Sequence, residues 1–488
     1  PGTRTDTASH AWDAEPSRRA TIEDRNGSMA KDVTDRSAPD RSIETAVAET
    51  DPLALTEAVD AIDAITAVWA EPGAPPVVAA GRAATVTGAG PTRFRTVKQR
   101  ADALFASIDR QGIPRPARPR LFGGFSFFDE DRLEAPWTDF EPAGFVLPAV
   151  QVTLAGDRTW VTGIGDGARE RVSRTVAALE AGGQPEETAA VESDGAGAES
   201  TGPAENREGK TDPAGLSAER SAWVERVGAV RDTIRKSDLQ KVVLAAAYEL
   251  DVGDLDLGGV LAALEARYPD CYRFSFTGPK ADPEREGAPS FFGASPERLV
   301  EKAGRSMETE ALAGTVERGD NPTVDEQQMD RLRGNETLAR EHELVADQIT
   351  VQLAGLGADV SVGDRSVRTL ANVHHLHTPI TATLPPNVHV LDVVASLHPT
   401  PALGGLPTET ARKTIAEHET TVRGWYGAPV GWFDAEGDGA FAVGIRSALV
   451  SEGRATLFAG NGIVAGSDPE TEWHELAAKF EPIREVLE

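Results

Sequence analysis

Residues 223–248 read Trp-Val-Glu-Arg-Val-Gly-Ala-Val-Arg-Asp-Thr-Ile-Arg-Lys-Ser-Asp-Leu-Gln-Lys-Val-Val-Leu-Ala-Ala-Ala-Tyr, and the hydrophobic period changes within them. Trp223, Val227, Val230 and Ile234 recur at helical spacing as far as Lys236. From Lys241 the text is a continuous apolar run opened by two valines, which predicts a strand. Downstream, further strands alternate with helices, and no repeat of fixed period appears. This pattern predicts an α+β fold with many long-range strand pairings, not the strict alternation of a doubly wound sheet.

Upstream, residues 181–216 lose apolar periodicity and are dominated by Glu, Ala, Gly, Pro and Ser, the composition of a solvated linker. The text on both sides looks like parts of one fold, so they read as an acidic surface insertion; a boundary between two domains is the alternative. Residues 46–180 form the N-terminal part. There Leu53, Leu55, Val59, Ile62 and Ile65 predict an amphipathic helix, and the aromatic run Leu121–Phe128 predicts paired strands. Phe145–Val152 reads as one strand, a second follows at Trp160, and Arg169–Leu179 as a short helix. Residues 1–45 are charged and poor in apolar side chains, which predicts a disordered tail, with Met29 a candidate natural start. Residues 217–488 remain as the region to search for chemistry.

The charge narrows the partners. With 78 acidic against 49 basic residues, nine of them lysine, the chain of 488 residues carries a net charge of −29. An acidic surface short of lysine suits a cytoplasm of very high salt, although an acidic protein without that habitat has the same composition. Either way nucleic acid is excluded as a partner. The single cysteine, Cys271, rules out an internal disulfide and fits a reducing cytoplasm; its strand-like context reads as a core thiol. No run approaches 18 apolar residues, so no membrane-spanning helix is expected, and no signal-peptide core is found.

Several motifs fail on spacing. His342-Glu343, His418-Glu419 and His474-Glu475 lack a histidine four residues after the first, so none opens a zinc-protease motif. Gly163-Ile-Gly-Asp-Gly lacks the third glycine of a dinucleotide loop, since Ala168 stands there. In a strand His374 and His375 point to opposite faces, so His374, His375 and His377 do not form a one-sided metal site.

One combination survives. On a helix from about 336 to 356, Leu338, Val345, Ile349 and Leu353 mark the buried stripe, and Glu341 falls on it. An inward carboxylate requires a cation, either an arginine or a metal. Ser467-Asp-Pro is a helix start, after which Glu472, Glu475 and Lys479 share one face. With Glu341 the two glutamates make a hard all-oxygen set suited to Mg2+.

Lys241-Val-Val-Leu, Phe292-Gly-Ala-Ser-Pro-Glu297, Leu312-Ala-Gly-Thr315, Glu341-His-Glu-Leu-Val, His398-Pro-Thr-Pro-Ala-Leu and Phe458-Ala-Gly-Asn-Gly-Ile-Val follow in order. The series, covering roughly residues 220–485, resembles the chorismate-utilising enzymes: the isochorismate, salicylate, anthranilate and aminodeoxychorismate synthases. The resemblance implies a fold of two interlocked α/β halves, antiparallel sheets flanked by helices, with the site in a cleft between them. It is nearest to the isochorismate synthases. Anthranilate synthases lack a lysine at the position of Lys241, and aminodeoxychorismate synthases carry a nucleophilic lysine where this chain has Ala313. Salicylate synthases are the near neighbour.

The resemblance implies that chorismate is isomerised to isochorismate, a hydroxyl added at C2 as another leaves C4. Lys241 would be the base that activates water and Glu297 the acid, its pKa raised by burial. Mg2+ on Glu341, Glu472 and Glu475 would bind the ring carboxylate, beside Gly314, Thr315 and His375. Arg446, Tyr426, Lys479 and the backbone of Gly460 would clamp the enolpyruvyl carboxylate. Ala402, Leu403 and Ile445 would form an apolar wall that disfavours pyruvate elimination. The family usually has Trp where His374 stands. A cytoplasmic monomer without a glutaminase subunit, serving menaquinone synthesis, is the expectation; a siderophore pathway is the alternative.

Overall fold

The structure is a computed structural model and describes residues 42–182, 217–285, 287–319, 321–370 and 373–488. The expected tail up to residue 41 and the expected insertion from residue 183 lie outside the described residues. Within the described chain, residues 42–488 form one compact unit.

Why the opening stretch folds as it does is visible in its burial. Trp223, Val227, Val230 and Ile234 are all buried along the helix Ser217–Ile234. Each such side chain contributes about 1.5–3 kcal/mol by leaving water. The strand Lys241–Asp251 follows and pairs along its whole length with Arg454–Val464, Lys241 facing Val464 and Asp251 facing Arg454.

Two sheets with antiparallel pairing make the body. In the eleven-stranded sheet the order is Thr45–Thr50, Thr159–Ile164, Val150–Leu154, Val77–Ala80, Ile65–Ala70, Tyr272–Thr277, Ser290–Ser295, Ser447–Ser451, Arg454–Val464, Lys241–Asp251 and Gly405–Leu406. The ten-stranded sheet runs Asp359–Val362, Val373–Thr383, Ser306–Glu317, Arg298–Ala303, Gly439–Val443, Pro429–Asp434, Arg120–Phe125, Ala143–Leu147 and Ala84–Gly88, with Ser366–Thr369 also on Val373–Thr383. Both sheets mix strands from before and after residues 183–216: Ala70 pairs with Arg273, and Gly124 with Val430. The architecture is α+β with antiparallel sheets flanked by helices, as the sequence led us to expect. Trp137 and Trp425 tie the parts together, their indole N–H groups donating to Val422 and Glu141 carbonyls at 3.0 and 2.9 Å.

Local expectations fared unevenly. The helix read from Leu53 to Ile65 is only Leu55–Asp60; Ala64 sits at φ 54°, and Ile65 opens the strand Ile65–Ala70. Its β-branched and aromatic residues gain more in the buried sheet than in a helix. Leu121–Phe128 forms not paired strands but one strand, Arg120–Phe125, followed by a turn. Phe145–Val152 is two strands, Ala143–Leu147 and Val150–Leu154, broken at Pro148 because proline cannot donate to a ladder. Cys271 is a buried free thiol. Among the described residues no helix is long and apolar enough to cross a membrane.

Candidate active site

Lys241 opens its strand, and three glycines make its setting. Gly405 pairs with Val242, and a Cβ there would run into the Lys241 carbonyl. On the partner strand a Cβ at Gly462 would lie 2.7 Å from Lys241 Cε, so glycine leaves the channel for the lysine stem. Gly460 does the same for Tyr426, whose hydroxyl would be 3.1 Å from a Cβ. The strand is apolar, but Lys241 Nζ does not end in apolar surroundings: it donates to Glu341 Oε1 at 2.5 Å.

Glu341 comes from the helix Glu336–Gly355, capped by Asn335, whose side chain accepts from the Thr337 and Leu338 amides. It lies half-buried at the edge of the apolar stripe rather than within it. The inward position belongs to His342, which bonds Thr378 Oγ1 at 2.7 Å. On the C-terminal helix Pro469–Leu487, Asp468 is the cap and accepts from the Thr471 amide. Glu472 is buried there and accepts from Asn461 Nδ2 at 3.0 Å; Lys479 donates to Asn461 Oδ1 at 2.6 Å and to the Gly460 carbonyl at 3.0 Å. Asn461 thus joins helix to strand.

Glu475 and Lys479 are exposed by surface area, yet the atoms crowded around their charged ends shift both groups. Burial raises the Glu475 carboxyl, as do the charges of Glu472, Glu317 and Glu341, against Lys479. Burial lowers the Lys479 ammonium, with Lys241 and Arg446 adding and Glu475 and Glu472 opposing. Glu475 therefore stands within electrostatic reach of three other carboxylates. Their oxygens are the donors a hard cation prefers, so the residue set fits Mg2+. Their present directions do not close a site: among the described residues, no three His, Cys, Asp or Glu side chains form a group able to hold a metal ion. Glu341 is turned to Lys241 and Glu472 to Asn461.

Glu297 stands where the sheets meet, between Ser290–Ser295 of one and Arg298–Ala303 of the other. It is 8% exposed, and burial, then the charge of Glu310, push its carboxyl up to about 8, with Lys241 pulling the other way. Glu310 stays ionised: burial raises it, but bonds from His377 Nε2 at 3.0 Å and Arg368 at 2.9 Å prevail and hold it below the usual range. Beside Glu297, Thr400, Ala402 and Leu312 enclose only about 10 Å3, scarcely one water.

The Leu-Ala-Gly-Thr string has a structural reason. Gly314, at φ 74°, is skipped in the ladder with Val373–Thr383, and the register shifts between Ala313 and Thr315. This bulge re-aims Thr315, whose Oγ1 meets His375 Nδ1 at 2.9 Å. His375 is half-buried and held down to about 3, chiefly by burial and then by Arg446, Lys479 and Arg368, so its imidazole is neutral. His374 faces the other way, fully buried between Asp325 Oδ1 at 2.8 Å and Thr369 Oγ1 at 2.9 Å.

Arg446 adopts φ 48°, a conformation costing a non-glycine residue about 1–3 kcal/mol. Its carbonyl accepts from the Ala294 amide at 3.0 Å, and burial lowers its guanidinium. Tyr426 is buried and stacks on Phe458 at 5.4 Å; burial raises its phenol. Leu403 is buried and Ala402 and Ile445 half-buried. Electrostatic influence links Lys241 with Glu297 and Lys479, Lys479 with Glu472, Glu475 and Arg446, Glu475 with Glu341, and His375 with Arg446 and Lys479, so these groups are neighbours.

Sequence reasoning missed five residues: Glu310, Asn461, Glu317 and the pair Arg423 and Glu419. Arg423 is 2% exposed, pairs with Glu419 at 2.5 Å, and donates to the Leu403 and Val243 carbonyls at 3.0 and 2.7 Å. No local pattern marked the pair, since the helix Thr408–His418 ends before both residues.

The family described as chorismate binding enzyme matches residues 29–488. The salicylate biosynthesis isochorismate synthase of Pseudomonas aeruginosa is 34% identical over 414 residues, covering 83% of this chain and 82% of that protein. Isochorismate synthase MenF of Bacillus subtilis is 33% identical over 375 residues, 76% of this chain and 74% of its own length. In fold, the chain is similar to MenF, the menaquinone-specific isochorismate synthase from Escherichia coli, with a TM-score of 0.68 at 24% identity over 92% of this chain and 96% of that one. Anthranilate synthase component I from Streptococcus pneumoniae shares the fold with a TM-score of 0.61 at 18% identity, over 94% and 95% of the two chains. With the family matched over residues 29–488, the chain belongs to the chorismate-binding enzymes.

Proposed function

We propose that the chain is an isochorismate synthase, a Mg2+-dependent isomerase of chorismate. The observation that carries this reading is the convergence of Lys241, at the start of the strand Lys241–Asp251, and Glu297, at the junction between the sheets, within electrostatic reach. An addition of water with loss of hydroxide needs a base and an acid at opposite ends of the reacting system. Relatives at 34% and 33% identity that bear the name isochorismate synthase support the same assignment.

Lys241 takes a proton from water as the oxygen bonds to C2, the ring double bonds shift, and the C4–O bond breaks. Glu297, protonated near neutral pH because its carboxyl is raised to about 8, gives its proton to the departing hydroxyl. Water enters and water leaves, so the net change is isomerisation. The ion pair of Lys241 with Glu341 has to open for the amine to act. Mg2+ bound at Glu341, Glu472 and Glu475 would supply a competing cation for Glu341, hold the ring carboxylate and draw charge from the diene. Gly314, Thr315 and neutral His375 line that end. Arg446, Lys479, Tyr426 and the Gly460 backbone bind the enolpyruvyl carboxylate, while Ala402, Leu403 and Ile445 leave no base beside the enolpyruvyl group.

The product in this reading enters menaquinone synthesis in the cytoplasm. Use in salicylate formation is the second reading, favoured by the name of the Pseudomonas relative. The test is product analysis with chorismate and Mg2+, separating isochorismate, salicylate and pyruvate. Isochorismate without pyruvate is expected, lost on chelation of the metal and reduced about 100-fold or more by Lys241→Ala. Salicylate with stoichiometric pyruvate would replace the first reading by salicylate synthase. A folded protein without turnover would remove both.

A further inference from the structure

On the other side of the loop 398–404 from Glu297, a cavity of about 680 Å3 opens between the helices Arg93–Ala106, Val390–Leu397 and Thr408–His418. That size falls within the range of small-molecule sites. One side is aromatic: Phe127 meets Phe128 edge-on at 4.9 Å and His398 at 5.5 Å. The other side carries charge, four cations (Arg93, Arg95, Lys98 and Arg412) against three carboxylates (Asp102, Asp129 and Asp392), which leaves one net positive charge. His398 adds none, since burial and then Arg93 hold its imidazole down to about 3.

Two of the cations are already engaged. Lys98 donates to Asp392 at 2.6 Å, and Arg412 pairs with Asp129 while lying over the Phe128 ring. Arg93 is different. It is 6% exposed, lies over the Phe94 ring at 4.7 Å and makes only two long bonds, 3.4 and 3.3 Å, to the Gly90 and Ser126 carbonyls; among the described residues its Nε has no hydrogen-bond partner. Glu130 is within electrostatic reach, but burial pushes that carboxyl up to about 7, so it offsets the guanidinium only in part. A guanidinium that lines a cavity and whose two terminal nitrogens hold only long bonds has donor capacity left for an incoming anion.

We propose that this cavity is a second ligand site, taking a small aromatic carboxylate whose charged end meets Arg93 and whose ring lies against Phe127 and Phe128. One net positive charge matches a monoanion better than a phosphate dianion. The volume admits two fused rings. None of these residues belongs to the cleft proposed for catalysis, so the site stands or falls independently of that reading.

The test is calorimetric titration of the whole chain with 2-naphthoate, with the neutral 2-naphthamide and with inorganic phosphate. Naphthoate should bind the wild type and Arg446→Gln alike, and the amide about tenfold more weakly or worse, as expected for loss of a charge-assisted hydrogen bond. Phe128→Ala, at a half-buried ring, should weaken naphthoate by about tenfold with turnover of chorismate unchanged. Arg93→Gln should weaken it at least as much; if that variant does not fold, Phe128→Ala and the amide decide. Naphthoate binding that is lost in Arg446→Gln and kept in Phe128→Ala would place the ligand in the catalytic cleft and overturn the proposal. So would no binding at about 1 mM, or phosphate binding more tightly than naphthoate.

Discussion

At Glu297, burial and the neighbouring charge of Glu310 act in the same direction, and together they keep a carboxylic acid protonated near neutral pH. Glu310 can do this because His377 and Arg368 keep it ionised. Its removal should therefore lower the pKa of Glu297. Activity that needs the protonated acid is lost as pH rises through that pKa, so in Glu310→Gln the alkaline limb of the kcat–pH profile should move to lower pH. A limb that stays in place in a folded variant would remove Glu310 from this role. Lys241, Glu297 and Glu341 were legible because each lies in a string with few alternatives. Glu310 was not: strand alternation places it on a face without saying what that face meets.

Between elements, Asn461 does what no single strand or helix does. It holds the Glu472 carbonyl at 2.7 Å, the Glu472 carboxylate at 3.0 Å and the Lys479 ammonium at 2.6 Å, so one buried amide fixes the helix that carries two proposed metal ligands. Asn461→Ala leaves these groups partly unmet and should cost about 1–3 kcal/mol in denaturant unfolding. It should also raise the Mg2+ concentration needed for activity; a variant of native stability and metal dependence would show the clamp to be idle. The helix starts at Asn335 and Asp468 follow from local capping chemistry, which is written in the sequence. The stop after Asp60 was missed because Ile62 and Ile65 satisfy a helical period that the sheet overrides.

Across the molecule, the buried pair Arg423–Glu419 connects the loop through Leu403 to the strand through Val243 and Ala245, whose amide reaches Glu419 at 2.6 Å. Arg423→Met strands the Glu419 carboxylate and should destabilise the fold by about 3–5 kcal/mol, read as a large drop in the unfolding midpoint. A change below about 1 kcal/mol would mean that water replaces the guanidinium. The net charge of −29 acts on the same scale. Its self-repulsion is screened over about 10 Å at 0.1 M salt and about 3 Å at 1 M. Tm should therefore climb as NaCl is raised over that range, and a flat or falling Tm would discard the high-salt reading of the surface. The sequence by itself determined the α+β class and the ordered strings by which the family is recognised, since periodicity, capping and motif order are local properties. Only the tertiary structure decided that strands from both sides of residues 183–216 share two sheets, that Lys241 meets Glu341, and that Glu310 and Asn461 hold the site. Those are contacts between residues far apart in the chain, set by strand pairing and packing that no local pattern encodes.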